Sequence, residues 1–479
     1  MDFMSLQFLF VFLPITTILY YIVGKKGGGG KNIYVLLISS ALFIFLLDKY
    51  TLLFLVVSIV ATYAMSTLVV KVKKSRRLLL VISIFFTLFP LLVCKYLHFF
   101  TSQILRLHND SIICVFVPIG ISFFTFRQIM YLVDGYRDGF RLPFEKYVIY
   151  IIFFPCITSG PIDIPHDFDA QCDLNKSILP NWDDIADGVV RLIIGYSKKL
   201  LIADSLAKLV DVCYQEYTES STMAIVAMVA YTLQIYYDFS GYTDMAIGIS
   251  NILGFHPMEN FDSPYQSRTV GEFWKKWHIS LTNFFSKYVY IPLGGNRCGK
   301  SRTYFNILII FFLSGLWHGA DWSFIIWGVA YGLILVAERI FKIKQDSINP
   351  LLGRVITFLI INVLWVFFRA DNVNVAVSLF RQMAANCFIP LSEAAQNSVI
   401  TPEIEFLVMK LHFSESLYVI WPYIFLAIAF LITQIRVNSR QICEQKLYRT
   451  KWGVVMLSVA ALLSTLSFSE TSGFIYWNF

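Results

Sequence analysis

Residues 303–338, TYFNILIIFFLSGLWHGADWSFIIWGVAYGLILVAE, hold two apolar runs, 303–317 and 322–338, with His318 and Asp321 in the short gap between them. Runs of this kind recur from end to end. Many approach about twenty residues, enough at 1.5 Å per residue to cross a hydrocarbon layer roughly 30 Å thick. The 479-residue chain is 57% hydrophobic and 17% aromatic, and only 15% of it is charged, against about a quarter in soluble domains. The pattern predicts an all-α polytopic membrane protein with spans at 5–23, 33–47, 51–70, 78–100, 112–133, 144–160, 303–317, 322–338, 352–368, 416–434 and 452–468. The region 180–300 interrupts them, with apolar stretches near 190–213 and 222–254, giving roughly 10–13 membrane-spanning or re-entrant helices in all. Little chain remains for a water-soluble domain.

The N-terminal run lacks a basic stretch ahead of it and a small-residue cleavage pattern behind it, so it reads as a retained first span. The eight cysteines show no paired spacing, which points to neither a disulfide framework nor a zinc site. Net charge is +7, and its placement is informative. Lys25, Lys26 and Lys31 crowd one connector, Lys71, Lys73, Lys74, Arg76 and Arg77 the next but one, while the turn between holds Asp48 and Lys49. Cationic connectors on alternate loops put those loops in the cytoplasm and the N-terminus outside. By the same alternation the aspartate-rich stretch 161–187 lies outside, the basic run 436–451 inside and the C-terminus outside. Clusters bounded so tightly by spans exclude nucleic-acid binding. KKGGGGK (25–31) lacks the lysine and hydroxyl placement of a phosphate loop and reads as a flexible turn. Connector 371–415 reads as containing a short helix, and no internal repeat is visible.

The centre of the chain is polar where a membrane chain should not be. TLQIYYDFSGYTDMAIG (232–248) sets Gln234, Asp238, Ser240 and Asp244 in apolar sequence, and a desolvated carboxylate needs a partner or a wet cavity. This predicts a broken or re-entrant helix lining a cavity; a loop between two spans is the alternative. Further on, Thr269 and Glu272 have the spacing of a capping box. Phe273, Trp277, Phe284 and Tyr288 then fall near one helical face, with Lys275, Lys276 and Lys287 reaching headgroups or cytosol. Pro292, Gly294 and Gly295 stop the helix before Asn296 and Arg297, in a turn able to meet a phosphorylated or anionic group; an ordinary interfacial anchor has the same look.

His318 stands between Trp317 and Gly319, with Trp322 following. A histidine there is costly without a task or partner, and when neutral it accepts a proton. Gly315 and Gly319 leave one face bare for a helix or a slender ligand. A structural histidine is the plain alternative. His278 is either a second active-site group or an interfacial residue; His98, His108, His166, His256 and His412 lack comparable surroundings.

The segments PIGISFFTFRQIMYLVDGYR, FFPCITSGPI, YSKKLLIADSLA, YTLQIYYDFSGYTDMAIGISNILGF, ENFDSPYQSRTVGEFWKKWHISLTNFFSKYVYIPLGGNR, SGLWHGADWSFIIWG, FFRA and the closing FIYWNF resemble the membrane-bound O-acyltransferase family, in its bacterial branch related to alginate O-acetylase. Two stretches depart from it: PCITSGPI carries Cys156, Thr158 and Ser159, and the end reads WNF where FQF is usual. The resemblance implies one integral-membrane domain over 1–479, a catalytic core about 112–370, and helices wrapped around a central tunnel. It maps the family's intramembrane histidine to His318 as general base and a second one to His278, as a second catalytic or oxyanion-stabilising group. Asp238, Ser240, Trp274, Lys275, Lys276, Trp277, Asn296, Arg297, Trp317 and Trp322 are the candidate substrate- or donor-binding residues, with openings near Asp238–Ser240–Gly241 and Ser314–Gly315–Gly319.

The resemblance further implies acetyl-CoA or another acyl thioester as donor, with no bound cofactor and no metal. The acceptor is an exported or cell-surface polysaccharide, alginate-like, reached directly or through a separate extracytoplasmic acetyltransferase or esterase-like protein. The setting is the bacterial inner membrane and its lipids, with no nucleic acid. Peptidoglycan O-acetylation and teichoic acid D-alanylation are alternatives within this chemistry. A flippase or transporter for a lipid-linked saccharide, or a scaffold for polysaccharide secretion, are alternatives outside it.

Overall fold

The structure, a computed structural model, describes residues 1–26, 30–72, 74–105, 116–172, 179–400 and 416–470, with Gly473 and Ile475. Lys73, Cys114, His108, Asp173, His412, the centre of KKGGGGK, the end of the 371–415 connector and all of FIYWNF but Ile475 lie outside the described residues. The chain is helical, with one isolated bridge, Phe261 to Trp277, and no strand among the described residues. Among the described residues, five helices are long and apolar enough to cross a membrane: Phe8–Lys25, Lys49–Lys71, Arg76–Leu97, Trp322–Ile340 and Pro350–Arg369, with shorter apolar helices at Asn32–Leu47, Leu417–Thr433 and Lys451–Leu466. Their outer faces carry bare aliphatic side chains, Ile38, Leu53 and Val57 each about two-thirds exposed, which is the surface a hydrocarbon solvent requires.

The chain divides into two units. One comprises Met1–Ile193, Tyr242–Asn260 and Ile279–Leu293. Here Asp48 caps the Lys49–Lys71 helix by accepting from the Tyr50 and Thr51 amides, and the helix Ile121–Asp138 is buried over most of its length. The expected span 144–160 is only partly a helix, Phe144–Ile152; the chain then runs as loop to Ile164, buried as far as Ile162. The loop survives burial because Arg127, itself 1% exposed, donates to the carbonyls of Tyr150, Ile151, Cys156 and Pro161 at 2.8–3.4 Å, so the peptide oxygens are not left dry. Asp163 at the loop's end accepts from the Met258 amide at 3.0 Å. Burial pushes its carboxyl up to about 6, while the Arg127 guanidinium pulls the other way.

The second unit comprises Ile194–Gly241, Phe261–His278 and Gly294–Phe479. The long helix Ser221–Ile252 passes through both units without a break, which corrects both the broken-helix expectation and its loop alternative. The carboxylates that suggested irregular backbone have ionic partners instead. In the first unit Arg191 reaches Asp244 at 2.7 Å and Glu259 at 2.8 Å; in the second, Lys199 lies 2.7 Å from both Asp238 and Asp204. The helix's glycines serve close packing: a Cβ on Gly248 would sit 2.7 Å from the Gly188 carbonyl oxygen, and one on Gly241 2.9 Å from that of Gly195.

Candidate active site

WHGAD is the corner of a helix hairpin. The helix Lys300–His318 ends where Gly319 turns extended, and Asp321 caps the next helix, Trp322–Ile340, by accepting from the Ser323 amide at 2.8 Å. The two helices touch through glycine: a Cβ on Gly315 would lie 2.3 Å from the Phe324 carbonyl oxygen, and one on Gly328 2.2 Å from that of Phe311. The bare face read as an opening is therefore filled by the partner helix, and Gly319 faces the Phe324 ring. Gly241 is likewise approached closely by the Gly195 carbonyl and the Lys198 side chain. Small residues admit a backbone here.

That hairpin holds His318 in a buried aromatic nest, 3% exposed. Its ring centroid is 4.6 Å from Trp317, 5.1 Å from Trp327 and 4.9 Å from Phe368. His278 arrives from a different element. Thr269 caps the short helix Val270–Lys276 by accepting from the Glu272 amide, as its spacing predicts, and the Glu338 carboxylate accepts from the Val270 and Gly271 amides at 2.7 and 2.9 Å. The helix does not run on to Tyr288, as the amphipathic pattern predicts. It stops at Trp277, whose neighbour Lys276 accepts from the Asp262 amide, and His278 takes a left-handed φ of +45°. A second short helix, Ile279–Phe285, starts afresh.

The break turns His278 inward. The imidazole is 1% exposed, edge-on to Phe239 at 4.8 Å and 5.9 Å from Trp317. Trp317 thus neighbours both histidines. Burial pulls the His278 pKa down to about 3, so this residue, outside the five candidate spans, is neutral near pH 7.

The predicted residues divide. Trp274, Trp277 and Trp317 are buried in this nest, Trp274 packing on Trp327 at 5.7 Å and Trp277 on Trp365 at 5.1 Å. Asp238 joins the Lys199 ion cluster and accepts from the Ile475 amide at 2.9 Å; Ser240 is buried on the same helix. Lys275 is exposed and Lys276 pairs with Glu272 at 2.8 Å. Asn296 and Arg297 are exposed on the expected turn, where Asn296 accepts from Arg339 and the Arg297 amide donates to the Gly294 carbonyl; Trp322 is half exposed. Sequence reasoning passed over Trp327, Tyr331, Trp365 and Phe368, which complete the nest. Their signal is helical spacing, four residues apart on Trp322–Ile340 and three apart on Pro350–Arg369, indistinguishable locally from ordinary core.

Comparison with known proteins bears on this region directly. The model of the MBOAT, membrane-bound O-acyltransferase family, matches residues 137–380, which contain the whole nest. The chain is 41% identical over 273 residues to the probable alginate O-acetylase AlgI of Azotobacter vinelandii, covering 56% of this chain and 54% of that protein. It is 36% identical over 324 residues to the peptidoglycan O-acetyltransferase of Helicobacter pylori, covering 60% and 61%. To the teichoic acid D-alanyltransferase of Bacillus subtilis it is 28% identical over 263 residues, covering 50% and 65%. The chain spans about half the length of the curated alginate relatives it matches.

Proposed function

Because this chain belongs to the membrane-bound O-acyltransferase family, we propose that it transfers an acyl group, in the first instance acetyl, from a thioester such as acetyl-CoA to a hydroxyl of an exported or cell-surface polysaccharide. The observation that carries the reading is the pair of buried histidines, His278 and His318, each packed against Trp317 inside the segment that the family model matches.

The chemistry follows from the residue types. The acceptor hydroxyl attacks the thioester carbonyl as His318 takes its proton. The carbonyl electron pair moves onto oxygen and returns as the carbon–sulfur bond breaks, and the thiolate receives the proton from the imidazolium. General base assistance of this kind contributes about 10²–10⁴ in rate. His278, kept neutral by burial, suits hydrogen bonding to developing charge better than proton uptake.

The alginate O-acetylase relatives favour a polysaccharide acceptor. Peptidoglycan is the second reading, supported by the longer match, 324 residues, to the Helicobacter pylori protein. The cytoplasmic membrane as location, the tunnel between its two faces and a separate extracytoplasmic partner belong to the same proposal. A saccharide flippase is less well supported, since the carboxylates that would line its path are held in buried ion pairs. The test is mass spectrometry of envelope and secreted glycans from cells carrying no copy, the wild type, or His318→Ala. Acyl esters should require the gene and disappear with His318→Ala at unchanged membrane abundance; retained esters in a folded variant overturn the assignment.

A further inference from the structure

Trp327 and Tyr331 are both fully buried, at 0% exposure, yet the Trp327 indole Nε1 and the Tyr331 hydroxyl have no hydrogen-bond partner. Buried polar groups in folded proteins are almost always paired, and each exception asks for an explanation. These two are neighbours. Four residues apart, they share one face of the Trp322–Ile340 helix, with ring centroids 5.3 Å apart. Trp327 packs 5.1 Å from the His318 ring, and Tyr331 lies 5.0 Å from Trp274. The helix cannot easily turn away. A Cβ on Gly328 would collide with the Phe311 carbonyl, and Gly332 lies against Leu308 and Phe311.

We propose that Trp327 Nε1 and Tyr331 Oη are a donor pair for the carbonyl oxygen of the acyl group, an inference that rests on the acyl-transfer reading above. An indole nitrogen only donates, so its missing partner is an acceptor. Neither side chain is charged, which suits a carbonyl oxygen better than a phosphate. As the acceptor hydroxyl attacks, the carbon–oxygen bond forms and the carbonyl π pair becomes a lone pair on that oxygen. Both donors then tighten on it, and the lone pair re-forms the carbonyl bond as the carbon–sulfur bond breaks and the thiolate leaves with the charge. Donors fixed in a dry site stabilise such an oxyanion without reorganising. His318 manages the proton, while Trp327 and Tyr331 add to the charge stabilisation proposed for His278.

The experiment measures thiol release from acetyl-CoA by the full chain in lipid nanodiscs, with alginate oligosaccharide as acceptor, for wild type, Tyr331→Phe and His318→Ala. Tyr331→Phe removes one oxygen and keeps the ring. It should lower kcat on the order of 10²-fold, change KM by less than about threefold, and leave the thermal midpoint equal or higher, since an unpartnered buried hydroxyl has gone. Activity within about twofold of wild type overturns the proposal, and so does a loss accompanied by a lower thermal midpoint, which marks a packing role. Inactive His318→Ala beside fully active Tyr331→Phe overturns this inference alone. An inactive wild type or an active His318→Ala overturns the acyl-transfer reading and this inference with it.

Discussion

Lys199 and Asp238 meet at 2.7 Å with both side chains about 2% exposed, and Asp204 lies at the same distance from the same ammonium. Two carboxylates on one lysine make a cluster whose charges are mutually dependent. Removing the cation should cost more than removing either anion, because it leaves like charges buried together. Breaking a buried pair from one side costs about 3–5 kcal/mol. We expect Lys199→Met to lower folded yield and thermal midpoint sharply, and the triple change Lys199→Met, Asp204→Asn, Asp238→Asn to restore most of the loss. Melting curves in detergent decide it; a triple variant no more stable than the single one rejects the coupling.

The same cluster shows where sequence reading stops. Carboxylates in apolar sequence were legible as an anomaly, but two structures relieve it: a break in the helix or a cation on another element. Lys199 and Arg191 lie on other helical segments, and nothing within 232–248 reports them. Capping at Thr269 was legible because its partner, Glu272, is local. The stop at His278 was not, because Phe273 and Trp277 continue a helical face and the break depends on hydrogen bonds from elsewhere: the Ile279 amide donates to the Asn260 carbonyl, and the Ser280 hydroxyl to its side-chain oxygen. Gly315 was legible as a bare surface, while its occupant, the Phe324 backbone, required the fold.

The hairpin carrying His318 depends on that close approach. Gly315→Ala places a methyl 2.3 Å from the Phe324 carbonyl oxygen and Gly328→Ala one 2.2 Å from the Phe311 carbonyl oxygen. Backbone cannot yield as a flexible side chain does. Each substitution should destabilise by about 1–3 kcal/mol, the usual cost of overpacking, and reduce acyl transfer by displacing His318 from Trp327. Gly473→Ala, with nothing within 4 Å of the added carbon, is the control. Thermal midpoints and transfer rates of the three, measured side by side, check this; an unperturbed Gly315→Ala contradicts the packing.

Asp163 should make stability depend on pH with an unusual sign. Its ordinary carboxyl pKa of 3.8 rises to about 6 on burial. Between those values the folded chain holds a proton that the unfolded chain has released, so this group's contribution falls as pH rises and is fully lost above about 6. Asp163→Asn retains an acceptor for the Met258 amide and abolishes the titration. The wild-type thermal midpoint should therefore fall relative to that of Asp163→Asn as pH goes from 4 to 6.5. Parallel curves over that range contradict the shift.

His278 acts in the opposite sense. A pKa of about 3 against the ordinary 6.5 means that on acidification below about 6.5 the unfolded chain takes up a proton that the buried ring refuses, so its contribution to stability declines as pH falls toward 3. The substitution for testing it is set by the backbone. At φ +45° asparagine is tolerated and a β-branched residue is strained, so His278→Asn should keep the fold while His278→Val loses about 1–3 kcal/mol. His278→Asn should also hold its thermal midpoint better than wild type between pH 6 and 4. Since His278 does not titrate near neutrality, any limb of the pH–rate profile between pH 6 and 8 should keep its apparent pKa in this variant, with only the amplitude reduced. A limb that vanishes with His278→Asn would move the proton-accepting role proposed for His318 to His278.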